Sequence, residues 1–141
     1  MNPNRRLLLL LFTALLLLPA ACSRSAELDP AFLESDGMRL QIKGKTVLTS
    51  DPLTWQLGYN AGRKEFRVFY DDLSSYYTLR CNTLPDHSGQ RVKADLEWSI
   101  NGLVKRKSGV SFTVKQISDD GHIWLFSAKE NIALTVQILN P

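Results

Sequence analysis

Residues 91–102 read RVKADLEWSING, and the reading of this stretch decides the fold. Val92, Ala94, Leu96, Trp98 and Ile100 alternate with Arg91, Lys93, Asp95, Glu97 and Ser99, so an extended chain carries its apolar side chains on one face and its polar ones on the other. That period of two describes a strand buried on one side. Asn101 and Gly102 follow at once, and a type I′ turn needs positive φ at both of its central positions, which these two residues adopt readily. The chain is therefore predicted to fold straight back into GLVKRKSGVSFTVKQIS, residues 102–118, with Ser108 and Gly109 marking a bulge or bend.

Turn signals recur on both sides of this hairpin. SDDGH, residues 118–122, leads into HIWLFSA, and KEN, residues 129–131, leads into IALTVQIL, giving a four-stranded meander. Upstream, YNAGRKEF suggests a hairpin between TWQLGYN and EFRVFY, and IKGKT joins MRLQI to TVLTS. No helix of any length is evident after residue 37. The prediction is an all-β domain over residues 38–141, a single antiparallel β-sandwich or barrel of about eight to nine short strands. Inward-facing side chains such as Leu40, Val68, Tyr77, Leu96, Phe112, Leu125 and Val136 each contribute about 1.5–3 kcal/mol on burial, enough for a core without a disulfide.

The N-terminus has a different character. MNPNRR is short and basic, Leu7–Leu18 is apolar apart from Thr13, and PAAC closes the run at Cys22. Twelve helical residues rise only about 18 Å against a hydrocarbon core of about 30 Å, so residues 1–21 read as an export signal and not as a permanent span. Ala20, Ala21 and Cys22 after a leucine-rich run resemble the lipobox of a bacterial lipoprotein signal, although Pro19 stands where that pattern usually has leucine. The resemblance implies that Cys22 is acylated and becomes the mature N-terminus, so that the membrane is a partner through the lipid. Ordinary cleavage nearby, giving a soluble periplasmic form, is the alternative that Pro19 keeps open. Residues 22–37 read as a tether with one helical turn at PAFLES after Asp29.

The second cysteine, Cys81 in YYTLRC, shares a face with Tyr77 and Leu79 and reads as a small buried hydrophobe. A disulfide between Cys22 and Cys81 is the competing fate in an oxidising compartment. The overall plan is similar to that of small bacterial envelope lipoproteins, and GHIWLFSAKENIALTVQIL looks like the endings of such proteins in the Bacteroidales. The resemblance implies an anchored protein of the outer membrane. The mixed SRSAELD after Cys22 lacks the acidic run of surface-exported lipoproteins, so the domain is expected to face the periplasm.

Charge and motifs narrow the function classes. Two of the 17 basic residues, Arg5 and Arg6, lie in the leader, leaving 15 against 14 acidic residues from Cys22 onward, a net charge of +1. That balance does not point to nucleic acid. There is no C-x-x-C pair for zinc and no glycine-rich phosphate loop, and no cofactor is expected. His87 and His122 sit in or beside turns and read as solvated residues. Asp95 and Glu97, about 7 Å apart on one strand face, have the spacing of paired catalytic acids, but Arg91 and Lys93 extend the same stripe and favour a solvated sheet face. Asp71 with Asp72, and Asp119 with Asp120, read as turn acids. No catalytic or metal-binding residue is assigned, and the chain is expected not to be an enzyme.

Two surfaces are candidates for contact. Trp124 and Phe126 lie on the opposite face from Ile123 and Leu125, and Phe69 is similarly out of phase; either both faces are covered there or an apolar patch awaits a partner, such as another envelope protein. Lys93, Lys105, Arg106 and Lys107 form a basic cluster suited either to an anionic surface or to protecting an exposed strand edge. The expected role is a non-enzymatic interaction or accessory module. The competing one is a periplasmic carrier, a barrel whose Trp and Tyr side chains enclose a small apolar ligand.

Overall fold

Alternating β-branched, aromatic and polar residues give nine strands: β1 (Arg39–Ile42), β2 (Lys45–Thr49), β3 (Trp55–Asn60), β4 (Glu65–Tyr70), β5 (Tyr76–Cys81), β6 (Arg91–Ile100), β7 (Leu103–Ile117), β8 (His122–Ser127) and β9 (Ile132–Gln137). The structure is a computed structural model that describes residues 26–34, 37–49, 55–70 and 74–139. Cys22 and residues 1–21, expected from the sequence to be an export signal, lie outside the described residues. All nine strands join one antiparallel sheet in the order β2-β1-β9-β8-β7-β6-β5-β4-β3. The sheet curls into a half-barrel, bringing β4 against β9 across the interior. The all-β expectation is met by one curled sheet.

The turn chemistry explains the curl. Asn101 and Gly102 both adopt positive φ, 51° and 85°, and close the β6–β7 hairpin in two residues. Farther along, Ala94 pairs with Val110 and Leu96 with Lys107, so Ser108 and Gly109 together oppose Asp95 alone. Gly109 takes φ 63° in this bulge, and its N–H, turned out of the ladder, donates to Asp95 Oδ1 at 2.8 Å. A second irregularity leaves Lys115 unmatched between Val114 and Gln116. Each bulge bends its strand and increases the local twist, so a 15-residue β7 with two of them carries the sheet around. Its first half pairs with β6 alone, because β8 joins only from Thr113 to Ile117.

The concave side is filled by Phe66, Tyr77, Leu79, Phe112, Ile123 and Leu134, all fully buried. Tyr77 crosses it, its hydroxyl donating to the Thr135 carbonyl at 2.5 Å. Cys81 is buried with a free thiol.

The convex side is covered over β8 and β9, which are buried on both faces. A strap formed by residues 26–34 does this. It contains one short helix, α1 (Pro30–Leu33), whose start is set by Pro30 and by Asp29, whose Oδ1 accepts the Ala31 N–H at 3.0 Å. Phe32 packs with Trp124, Phe126 and Ala133, with Ala26, Leu28 and Leu33 alongside. The strap is fastened where it enters β1: Thr135 Oγ1 accepts from Arg39 N at 2.9 Å and donates to the Gly37 carbonyl at 3.2 Å. The helical turn after Asp29 is as expected; the described part of the tether, however, is packed onto the sheet because its apolar residues have a matching aromatic face to bury against.

Candidate functional site

Away from the strap, the outer faces of β4, β5, β6 and β7 line an open groove of about 500 Å³. Register builds it row by row. Arg67, Thr78, Glu97 and Arg106 lie side by side across the four strands; Glu65, Arg80 and Asp95 form the next row; Phe69 and Tyr76 form a third. Directly opposed residues in adjacent strands have Cβ atoms about 4.5–5.5 Å apart, which lets each row interact laterally.

Glu65 is the anchor. It is 4% exposed, and its two oxygens take Arg67 Nε at 2.6 Å and Arg80 Nη2 at 3.1 Å. Burial opposes its charge, but Arg80 and Arg67 outweigh burial and hold the carboxyl below its ordinary range. Glu97 is held in the same way: Oε1 accepts the Tyr76 hydroxyl at 2.6 Å and Oε2 accepts Arg106 Nε at 2.5 Å. The Tyr76 hydrogen bond, then Arg106, lowers the Glu97 carboxyl, and the same bond raises the Tyr76 hydroxyl.

The three groove carboxylates are thus each engaged, Asp95 through the bulge N–H. Glu65 and Glu97 are arranged as ion-pair partners, their carboxyls held below the ordinary range and so away from that of a neutral-pH acid or base. Arg67 and Arg106 spend only their Nε atoms on these pairs, so their terminal guanidinium groups can donate to a ligand. Phe69 and Tyr76, with ring centroids 5.9 Å apart, supply an apolar wall. An open cleft of this kind suits recognition of a group that is part anionic and part apolar.

The structure redistributes the candidate surfaces. Trp124 and Phe126 are each 6% exposed beneath the strap, which corrects their reading as a partner surface: Phe32 already occupies that face. Phe69 remains half-buried in the groove, the one aromatic of the three that a partner can reach. The basic cluster is also corrected, because it is dispersed. Arg106 pairs with Glu97, Lys107 Nζ pairs with Glu130 Oε2 at 3.0 Å, Lys105 is registered with Trp98 on the other face of the sheet, and Lys93 lies four positions before Glu97 on β6 with its own neighbour, Ser111, on β7.

His122 is buried and stacks on Trp124 with centroids 4.2 Å apart, contrary to its reading as a solvated turn residue. His87 is exposed beside Asp86. Asp120 caps its turn, accepting from Ser118 Oγ and from His122 N. Asp71, Asp72 and Cys22 lie outside the described residues. Among the described residues, no group of three or more His, Cys, Asp or Glu side chains is placed to hold a metal ion.

Glu65, Arg67, Tyr76 and Arg80 are groove residues that sequence reasoning missed. Their only local sign is a Glu-x-Arg pair spaced to share one strand face within EFRVFY; the partner strand that gives it meaning is known only from register. The chain matches no family model, no curated protein and no solved structure.

Proposed function

We propose that this chain is a non-enzymatic, lipid-anchored protein of a bacterial envelope, acylated at Cys22 and placed at the outer membrane facing the periplasm. Its β-domain serves as an interaction or accessory module. The observation that carries the module reading is the state of the groove: Glu65, Asp95 and Glu97 are committed to internal partners, while Arg67, Arg106 and Phe69 face outward. Such a site recognises and does not transfer protons. A carrier is less well supported, since Tyr77, Phe66 and Phe112 fill the interior that an apolar ligand would need.

Expression of the full chain in a bacterial host tests the anchor. The N-terminal peptide of the mature protein should begin at Cys22 with its mass raised by acyl chains, and Cys22→Ser should release a folded domain from the membrane fraction. A mature terminus at another residue, or unchanged membrane association of Cys22→Ser, would overturn it.

A further inference from the structure

Antiparallel order sends alternate turns to opposite rims of the half-barrel. The β1–β2, β6–β7 and β8–β9 turns share one rim, and the β3–β4, β5–β6 and β7–β8 turns share the other. The strap begins at the first of these: Glu27, Leu28 and Asp29 lie beside Gln41, Gly44 and Asn131, whereas the strap's far end meets Thr135. Four peptide steps separate Cys22 from Ala26, a reach of at most about 14 Å. An anchor at Cys22 therefore keeps this rim at the membrane surface.

The same rim has a surface unlike the rest of the molecule. The exposed large hydrophobics among the described residues are Ile100 (38%), Leu103 (67%) and Val104 (44%), all at the tip of the β6–β7 hairpin. The tip is not loose, because Gly102 N and Ser99 Oγ both donate to the Ser74 carbonyl and Asn101 N donates to Ser75 Oγ. Exposed Lys105 follows the tip, and exposed Lys43, Lys45 and Lys129 flank the neighbouring turns, which are joined by Lys43 N to the Asn131 carbonyl at 2.8 Å. Of the described acids on this rim, Asp29 caps α1 and Glu130 pairs with Lys107, leaving Glu27; Asp71 and Asp72 lie outside the described residues. The opposite rim carries Asp86, Asp119 and Asp120 with Arg63 and Lys64, and no exposed large hydrophobic among the described residues.

Resting on the anchored reading above, we infer that this rim is a second, non-covalent membrane contact, with Ile100, Leu103 and Val104 entering the interfacial zone and Lys43, Lys45, Lys105 and Lys129 meeting anionic phospholipid headgroups. Apolar tip and lysines act together, as in other interfacial contacts, and the lipid at Cys22 gains a second attachment. The groove is then held to one side of the bilayer contact, open to the periplasm.

The test uses the chain from Cys22 onward, which contains every element described above, coupled through Cys22 to maleimide lipid in vesicles of phosphatidylethanolamine and phosphatidylglycerol. Cys81 does not compete, since burial shields its thiol and pushes it up to about 12. Lysine acetylation is read residue by residue by mass spectrometry, on vesicles and free. Labelling should fall about five-fold or more at Lys43, Lys45, Lys105 and Lys129, amines within a Debye length of the headgroups, and stay unchanged at Lys64 and Lys93. Leu103→Asp with Val104→Asp should restore labelling of Lys105 while the protein stays coupled. Equal labelling of both sets, or protection of Lys64, overturns the inference; so does protection of Lys105 in free protein as its concentration rises, which would assign the tip to a second copy. Because the lipid is attached in vitro, these outcomes are separate from the cellular acylation test.

Discussion

The Tyr77 hydroxyl meets the Thr135 carbonyl at 2.5 Å across the concave interior, linking β5 to β9 over 58 positions of chain. This bond ties the two limbs of the curled sheet together where no strand pairing does. Tyr77→Phe keeps the ring but leaves the carbonyl without that donor, so a loss of about 1–2 kcal/mol is expected in urea unfolding. Burial, with the nearby Tyr70 adding to it, holds the Tyr77 hydroxyl well above the ordinary tyrosine range. A raised value means the folded state keeps its proton longer, so this stabilisation is present below about pH 10 and is lost as pH climbs beyond it. The phenylalanine variant should lose less stability on going to high pH than the parent.

Glu65 gives the opposite dependence. Its carboxyl is held below the ordinary range, so the stability it supplies is present above about pH 4.5 and falls as pH drops toward the folded value. Glu65→Gln removes the charge that Arg67 and Arg80 share, and should cost about 1–3 kcal/mol at neutral pH. Unfolding measured at several pH values between neutrality and about pH 3.5 should show a shallower acid decline in the variant.

Gly121 tests a close approach. It adopts φ 86°, and a Cβ there would lie 2.6 Å from the Ile138 carbonyl oxygen. Gly89 has φ 90° with open space around it. Gly89→Ala should therefore cost about 1–2 kcal/mol from backbone strain alone, and Gly121→Ala measurably more, because the end of β9 must also shift. Equal losses in thermal or urea unfolding would contradict the steric account.

Phe32→Ala should loosen the strap. The buried ring contributes on the scale of about 3–5 kcal/mol where it cannot be replaced, although undocking of the strap limits the loss seen in global unfolding. The sharper measurement is fluorescence: exposure of Trp124 should move tryptophan emission to longer wavelength, and Trp124→Phe should abolish the shift.

Much of this architecture was legible in the chain. The alternation in residues 91–100 made β6, Asn101 and Gly102 made its turn, Ser108 and Gly109 made the bulge, and Asp29 before Pro30 began α1. Each depends on contacts within a few residues, where backbone sterics and the period of side chains leave few options. The out-of-phase aromatics of HIWLFSA even showed that both faces of β8 needed a neighbour.

Only the tertiary structure decided what those neighbours are. Phe32 covers Trp124 and Phe126 from about ninety positions away, and the groove exists because Glu65, Arg80 and Asp95 fall in one row, with Arg67, Glu97 and Arg106 in the next. A period of two fixes which face a side chain takes, but its partners follow from register across several strands. One bulge changes that register: on the hairpin side of Ser108 and Gly109, Arg106 falls in the Glu97 row and pairs there, while Lys105 and Lys107 are registered with Trp98 and Leu96 and Lys107 pairs with Glu130, so the tripeptide is no longer the single basic patch its spacing suggests.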